Sequence, residues 1–377
     1  MKKTLFALCA ACTIIGTAHA QSSVTLYGLI DAGITYTNNQ HGQKNVQATS
    51  GDVNGSRWGV KGGEDLGGGL RAIFTLENGF NIQNGQLGQG GRMFGRQAFV
   101  GLSDNKYGTV TLGRQYDSVV DYLGPLALTG TQYGGTHFAH PYDNDNLDNS
   151  FRVSNSVKYQ SLDYAGLKFG GLYGFSNQAG GFSSNRAYSV GLSYNYGPLN
   201  AAAGYLQLNN AGSTFSGGAV SDDATFSASV QRTFGGGLNY AFGPAVAGLV
   251  ITQTNLTAPT GIGAYASGTS KGVALSGGNA RFTNYEVNGR YNVTPVLALI
   301  GAYTFTDARL AGVSPKYNQV SLRTDYSLSK RTDVYLEGVY QHVGGTGNSG
   351  ITADITGLSA SSTNSQVAAT IGLRTRF

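Results

Sequence analysis

The 377-residue chain predicts an all-β fold, a membrane-spanning antiparallel barrel of 16 strands whose third outer loop folds inward. Three observations carry that reading. Apolar and polar residues alternate with period 2 almost from end to end, which marks strands with different solvents on their two faces. Beyond the first twenty residues no apolar run approaches the eighteen or so that a helical span needs, and the longest, Val296 to Tyr303, is broken by Gly301. Seven tight turns of Gly, Pro, Asn and Asp punctuate the alternation.

In chain order, Lys2 and Lys3, an apolar run from Leu5 to Ile15 and the small-x-small Ala18-His19-Ala20 predict a secretory leader over residues 1–20. A single barrel domain, 21–377, then begins at Gln21. A transmembrane anchor is the alternative, but the run is well short of a span, and acylation at Cys12 is a second, but it would cut the apolar run in its middle. Both cysteines, Cys9 and Cys12, fall in the leader, so the mature chain has neither disulfides nor thiolate metal sites. Without Lys2 and Lys3 the balance is 23 basic against 20 acidic residues, a net of +3, too even for a nucleic-acid binder. The 58 glycines, 23 tyrosines and only 7 prolines suit many short-turned, aromatic-rich strands.

The first strand sets Val24, Leu26, Ile30, Ala32, Ile34 and Tyr36 against Thr25, Asp31, Thr35 and Thr37. Tyr188 to Tyr196, Asn284 to Val293 and Gln319 to Tyr326 alternate in the same way, with charges confined to one face. A basic residue on the lipid face at mid-membrane costs about 2 to 4 kcal/mol, so Arg290, Arg323 and Arg374 should point into a wet lumen. The last strand runs from Val367 to Phe377, with Arg374 and Arg376 on the polar face. Phe377 should be needed for assembly, because the final strand must pair with Val24 to Tyr36 to leave no open edge in lipid.

The turns fall at Gly62 to Gly69, Asp104 to Gly108, Asp163 to Gly166, Asn195 to Pro198, Ala241 to Pro244, Asn292 to Pro295 and Ser327 to Thr332. Each joins two strands on the periplasmic side, and a further strand at each end completes the even count. Longer outer loops are expected at about Asn38–Gly55, Asn81–Gly91, Asp117–Ser150, Ser176–Arg186, Leu208–Asp223, Thr252–Asn279, Asp307–Pro315 and His342–Ser365. Most read as solvated surface.

The third loop is different. It holds Tyr122, Leu123, Leu126, Leu128, Tyr133, Phe138 and Tyr142, then Asp143, Asp145 and Asp148. Folded inward, its apolar groups can pack on the inner wall while the three carboxylates face the water column and the loop sets the bore. Covering the barrel top or touching a neighbouring subunit is the alternative. Basic residues of inward parity should face it: Arg57 and Lys61 opposite Trp58 and Val60, Arg152 and Lys158 opposite Val153 and Val157, and Arg96, with Arg71 and Arg114 as further candidates. They could merely solvate the wall. Facing a carboxylate loop, they would instead set up a transverse field that sorts ions.

Catalysis is poorly supported. His41, His137, His140 and His342 are the histidines beyond the leader, all in or beside outer loops, and no nucleophile is poised by a base. His137 and His140 have a ligand-like spacing without a helix to align them. Asp143 to Asp148 lacks the glycine and distal Glu of an EF-hand and reads as a constriction lining or an adventitious cation site, with no dedicated metal site and no cofactor expected.

With these residues in view, the chain resembles the Gram-negative general porins in the form typical of β-proteobacteria. The likeness runs through SSVTLYGLIDAG from Ser22, SRWGVKGGEDLGGGLRAIFTLENGF from Ser56, RQAFVGLSDNKYGTVTLGRQYD from Arg96, YSVGLSYNYGPL from Tyr188, RYNVTPVLALIGAYTF from Arg290, DYSLSKRTDVYLEGVYQ from Asp325 and the terminal GLRTRF. It covers strands and periplasmic turns of nearly the whole mature chain, not the outer loops. The third loop departs from the acidic-glycine signature of the enteric porins. The resemblance implies a homotrimer in outer-membrane lipid and lipopolysaccharide. Each subunit would hold a water-filled pore for small hydrophilic solutes and inorganic anions, with an arginine cluster that maps onto Arg57, Arg96 and Arg152. A substrate-specific channel or a receptor or adhesion barrel remains the other class.

Overall fold

Strands with one apolar and one polar face are stable in lipid only when their last edge is paired, and here the sheet closes on itself. The computed structural model describes residues 23–211, 217–220, 223–262, 273–275, 278–310 and 312–377. The expected leader and Gln21 lie outside the described residues. The wall begins with β1 (Ser23–Gln40), β2 in two segments (Gln43–Ser50 and Arg57–Gly67), β3 (Leu70–Gly79), β4 (Gln97–Asp104) and β5 (Gly108–Gln115). It continues with β6 (Val153–Gln160), β7 (Leu167–Gly174), β8 (Ala187–Tyr196), β9 (Leu199–Ala211), β10 (Phe226–Phe242) and β11 (Ala245–Thr257). The last five are β12 (Asn279–Asn292), β13 (Leu297–Arg309), β14 (Lys316–Ser327), β15 (Thr332–Gly344) and β16 (Ser365–Arg376).

Neighbours in this order pair antiparallel, and β16 pairs with β1 from Leu29↔Arg376 to Thr37↔Ala368. Two backbone bonds extend the seam, from Phe377 N–H to the Gly28 carbonyl (3.1 Å) and from Gly28 N–H to the Phe377 carbonyl (3.0 Å). The result is a closed barrel of 16 strands.

Parity follows the alternation. Leu26, Ile34, Val287, Leu322 and Ile371 are exposed on the outer wall, whereas Asp31, Thr35, Glu286, Arg323, Thr370 and Arg374 are buried inside. Six expected turns fall between consecutive strands as read. The seventh is shorter than Gly62 to Gly69, because β2 continues to Gly67 and only Gly67, Gly68 and Gly69 turn, at φ +86°, +64° and +92°. The first outer loop is also corrected. Asn38–Gly55 is mostly strand, and β1 and β2 meet at His41–Gly42. Polar residues there looked like a loop, but above the membrane both faces of a hairpin can be polar. Asn45 donates to Gln40 (2.9 Å) and Gln47 (2.8 Å) along one face.

The barrel is filled from inside. Val119, Leu123, Leu126, Leu147 and Phe151 of the third loop pack on Ala202, Leu206, Leu208 and Val250 of the wall. Leu128 and Phe138 pack on Ala298, Ile300, Ala302 and Val339, together with Ile355 and Leu358 of the eighth loop. That eighth loop had read as solvated surface. Its Ile351, Ala353, Ile355 and Leu358 are instead buried within the lumen, with no periodicity in sequence to announce them.

Candidate functional site: the constriction of the barrel

The third loop leaves β5 at Gln115, crosses the interior and returns at Val153. The far wall holds it by lumen-facing side chains. Glu286 on β12 accepts from Leu128 N–H (2.8 Å) and pairs with His140 Nε2 (3.0 Å). Glu337 on β15 pairs with His137 Nδ1 (3.0 Å), and the Tyr142 and Tyr317 hydroxyls meet at 3.2 Å. Arg323 on β14 donates to the Tyr133 and Gly134 carbonyls (3.2 Å each), and Arg374 on β16 donates to the Gln132 carbonyl (2.6 Å). Arg290 stacks on Tyr133, 4.6 Å from the ring centroid. All three arginines assigned to the lumen by parity are therefore inside it.

Beside the loop lies a cavity of about 700 Å³. Arg57, Arg96 and Arg152 all line it, so three residues far apart in sequence come together. β2 resumes at Arg57, Arg96 immediately precedes β4, and Arg152 immediately precedes β6. Arg96 Nε donates to Glu77 Oε1 (2.7 Å) and its Nη2 to the Tyr116 hydroxyl (2.9 Å). Arg152 lies over the Tyr116 ring, 5.4 Å from its centroid, and donates to Ser150 O and Asn149 Oδ1. Arg57 lines the cavity without a hydrogen bond or close ion pair among the described residues, and it interacts at longer range with the Glu77 carboxylate and with Arg96 and Arg152. Lys61 shares its strand face but sits nearer the periplasmic end, over the Tyr27 ring at 5.2 Å, and does not line the cavity. Arg114 is buried against Asp223, Lys158 pairs with Asp121 (2.7 Å), and Arg71 is exposed near the β2–β3 turn.

The three aspartates part company. Asp148 lines the cavity, with Thr129 donating to it at 3.2 Å. Burial, then the carboxylate of Asp143, pushes Asp148 up to about 7. Asp143 is buried beneath the loop, where it accepts from Asp148 N–H (3.0 Å) and Ser150 N–H (3.1 Å). Asp145 is fully buried and accepts from His140 Nδ1 (2.6 Å), Thr252 and Asn284. Neither faces the water column as expected, because a buried carboxylate must find donors and the loop's own amides and the wall supply them. His140 is gripped on both ring nitrogens. Burial opposes its charge, but Asp145 and then Glu286 overcome this and raise it to about 10.

Sequence reasoning missed Glu77, Tyr116 and Arg92, and it set Arg376 on the polar face without assigning it to the site. Parity could have found Glu77, which lies opposite Leu76. Arg92 and Tyr116 lie in irregular segments, where no period applies. Around the cavity stand five arginines, 57, 92, 96, 152 and 376, against three aspartates, 52, 148 and 223, a positive excess.

The comparisons agree with this architecture. The model of the Gram-negative porin family matches residues 4–348. An outer membrane porin protein of Bordetella pertussis is 34% identical over 376 residues, covering 90% of this chain and 94% of its own. Outer membrane porin protein 32 of Delftia acidovorans is 34% identical over 216 residues, 55% of this chain and 60% of its own. Among solved structures, the anion-selective porin from Comamonas acidovorans superposes with a TM-score of 0.74 at 25% identity, over 95% of this chain and 100% of that one. A closed 16-stranded wall, a cavity beside a loop that crosses the lumen and family-wide similarity lead to one conclusion: the chain belongs to the Gram-negative porins, outer-membrane barrels that form diffusion channels and are not enzymes.

Proposed function

We propose that this porin passes small hydrophilic solutes and inorganic ions with a weak preference for anions, and that the third loop sets its bore. The observation that carries the preference is the gathering of Arg57, Arg96 and Arg152 on one cavity with more arginines than aspartates in its lining, while of Asp143, Asp145 and Asp148 only Asp148 faces them. At an effective dielectric near 20, one charge about 10 Å from a permeating ion contributes on the order of 1 to 2 kcal/mol. Screening over a Debye length of about 8 Å reduces this, and Asp148 subtracts from it. The result is a preference of about tenfold, not exclusion. The anion selectivity named for the Comamonas porin supports the same sign.

The working unit is a homotrimer embedded in outer-membrane lipid and lipopolysaccharide. β4 to β7 are only 8 residues each, which at a tilt near 40° spans roughly 20 Å, short of the ~25 Å apolar band a lipid-facing wall presents. That side of the barrel is suited to contact another subunit. A trimer form is described for the Vibrio cholerae OmpT barrel, which shares this fold at 17% identity and a TM-score of 0.64. The leader over 1–20 belongs to the same reading, as the export signal for a 21–377 barrel.

Planar-bilayer reversal potentials in a salt gradient test the selectivity. Replacing Arg57, Arg96 and Arg152 with glutamine should move the zero-current potential toward the cation value, with a difference that shrinks as salt rises. A triple variant that keeps the parent's potential at low salt would overturn the assignment.

A further inference from the structure

The wall itself breaks between Ser50 and Arg57. Their partners on β1 are Ala32 and Leu29, so Ile30 and Asp31 face the six residues from Gly51 to Ser56. A flat ladder has no room for the excess. It turns off the sheet with Gly51 in the left-handed region at φ +78°. The turn is inward, since Asp52, Val53 and Ser56 are buried and every residue from Ser50 to Arg57 lines the constriction cavity.

Asp31 anchors this bulge at its base, while Arg374 donates to Asn54 Oδ1 and Thr49 to Asp52 Oδ2 further along. The Asp31 carboxylate, wholly buried, accepts from Val53 N–H (3.0 Å), Asn54 N–H (2.9 Å) and the Tyr335 hydroxyl (2.6 Å). The Ser56 hydroxyl closes the base, accepting from Asp31 N–H and donating to its carbonyl, both at 3.0 Å. An unsatisfied carboxylate at this depth would be costly, so the donors and Asp31 hold one another in place. The far side of the bulge meets the third loop. Thr136 N–H donates to the Asp52 carbonyl (3.1 Å), and a Cβ on Gly135 would lie 2.2 Å from that oxygen, which leaves glycine as the residue that permits the approach.

We infer that the Gly51–Ser56 bulge is a second jaw of the constriction, built from the wall and abutting the third loop, with Asp31 as its positioning residue. The inference rests on the channel reading above. It makes the bore depend on two elements that line one cavity, and it places Arg57 where the bulge rejoins the sheet.

Gly55 is exposed in the cavity, and the nearest atom to an added Cβ is Arg96 Nη1 at 3.4 Å, so Gly55→Cys should fold. The chain's other cysteines, Cys9 and Cys12, precede the barrel. Labelling with an anionic or a cationic methanethiosulfonate reagent of similar bulk should lower single-channel conductance by about half in both cases. The anionic label should reduce anion preference and the cationic label raise it. Complete labelling, verified by mass, with conductance unchanged would overturn the second jaw. Deleting residues 52–55 offers an independent measurement, because two residues then face two in a continuous ladder and conductance should rise about 1.5-fold. A heat-resistant deletion barrel with the parent's conductance would also overturn it, and if the deletion does not assemble, the labelled cysteine decides. Asp31→Asn, which keeps the shape, should shift both conductance and reversal potential. If it lowers heat stability alone, Asp31 is structural and does not position the jaw. A parent channel without anion preference would instead count against the charge assignment and leave the jaw standing.

Discussion

Arg57, Arg96 and Arg152 occupy one cavity but are not equivalent. Arg96 is committed to Glu77 and Tyr116, and Arg152 to the third loop and the Tyr116 ring, so part of each charge is spent on structure. Arg57→Gln alone should therefore give the largest shift in reversal potential of the three single variants, with heat resistance unchanged, whereas Arg96→Gln removes the cation bonded to buried Glu77, leaving it the Tyr27 hydroxyl, and should lower stability as well. Bilayer recordings of the singles beside a heat-modifiability assay would separate the two effects, and equal shifts would contradict this ranking. Asp148 adds a pH dependence. With its carboxyl raised to about 7, it is charged above that value and neutral below it. Anion preference should thus rise as pH falls from 8 to 6, and Asp148→Asn should hold the acid-side value throughout. A parent whose reversal potential is flat over that window would rule out Asp148 as the titrating group.

The third loop is an element without regular secondary structure that is nevertheless fixed, because apolar packing on the wall and charged clamps act together. His140 is the strongest clamp. Its pKa is raised above the ordinary value near 6.5, so its contribution is fully present below that value and is lost as pH rises toward about 10. His140→Gln leaves Asp145 and Glu286 without their cation. Breaking a buried pair typically costs about 3 to 5 kcal/mol, offset here by the Thr252, Asn284 and Leu128 donors that remain. Open-channel noise should increase in the variant at pH 7, and the parent should approach the same noise near pH 10. Shortening the loop between Tyr122 and Asn146 should go further and raise conductance, and an assembled variant with unchanged conductance would contradict the loop's role in setting the bore.

At the scale of the whole barrel, closure depends on a single seam. Phe377 pairs its backbone with Gly28, and its ring lies over that glycine so closely that a Cβ there would fall 2.3 Å from Cζ. Deleting Phe377 should lower the yield of heat-resistant protein in the outer membrane, because the end of β1 then loses its partner in lipid. Gly28→Ala should do the same through steric conflict, and wild-type insertion of both would remove the seam from the assembly pathway. Cross-linking in detergent should show trimers, and a monomer-only pattern would argue against the short β4–β7 side as a subunit contact.

The strand count, the direction of Arg290, Arg323 and Arg374, and the placing of Glu286 and Asp31 indoors were determined by sequence alone, since period 2 couples parity directly to solvent. The approach of Arg57, Arg96 and Arg152 could be reached only through resemblance, because barrel curvature, not sequence distance, brings β2, β4 and β6 round one cavity. Three features had no local signal at all. Asp143 and Asp145 look like solvent-facing carboxylates until the loop folds back and its own amides and the wall claim them. The eighth loop reads as polar surface, yet Ile351 and Ile355 find an apolar lumen made by other segments. All of the inward Gly51–Ser56 bulge but Ser56 sat within a stretch read as loop, and only the register against β1, two residues facing six, shows that the wall itself turns inward there. In each case the deciding partner is supplied by tertiary structure, and no periodicity in the segment encodes where that partner will be.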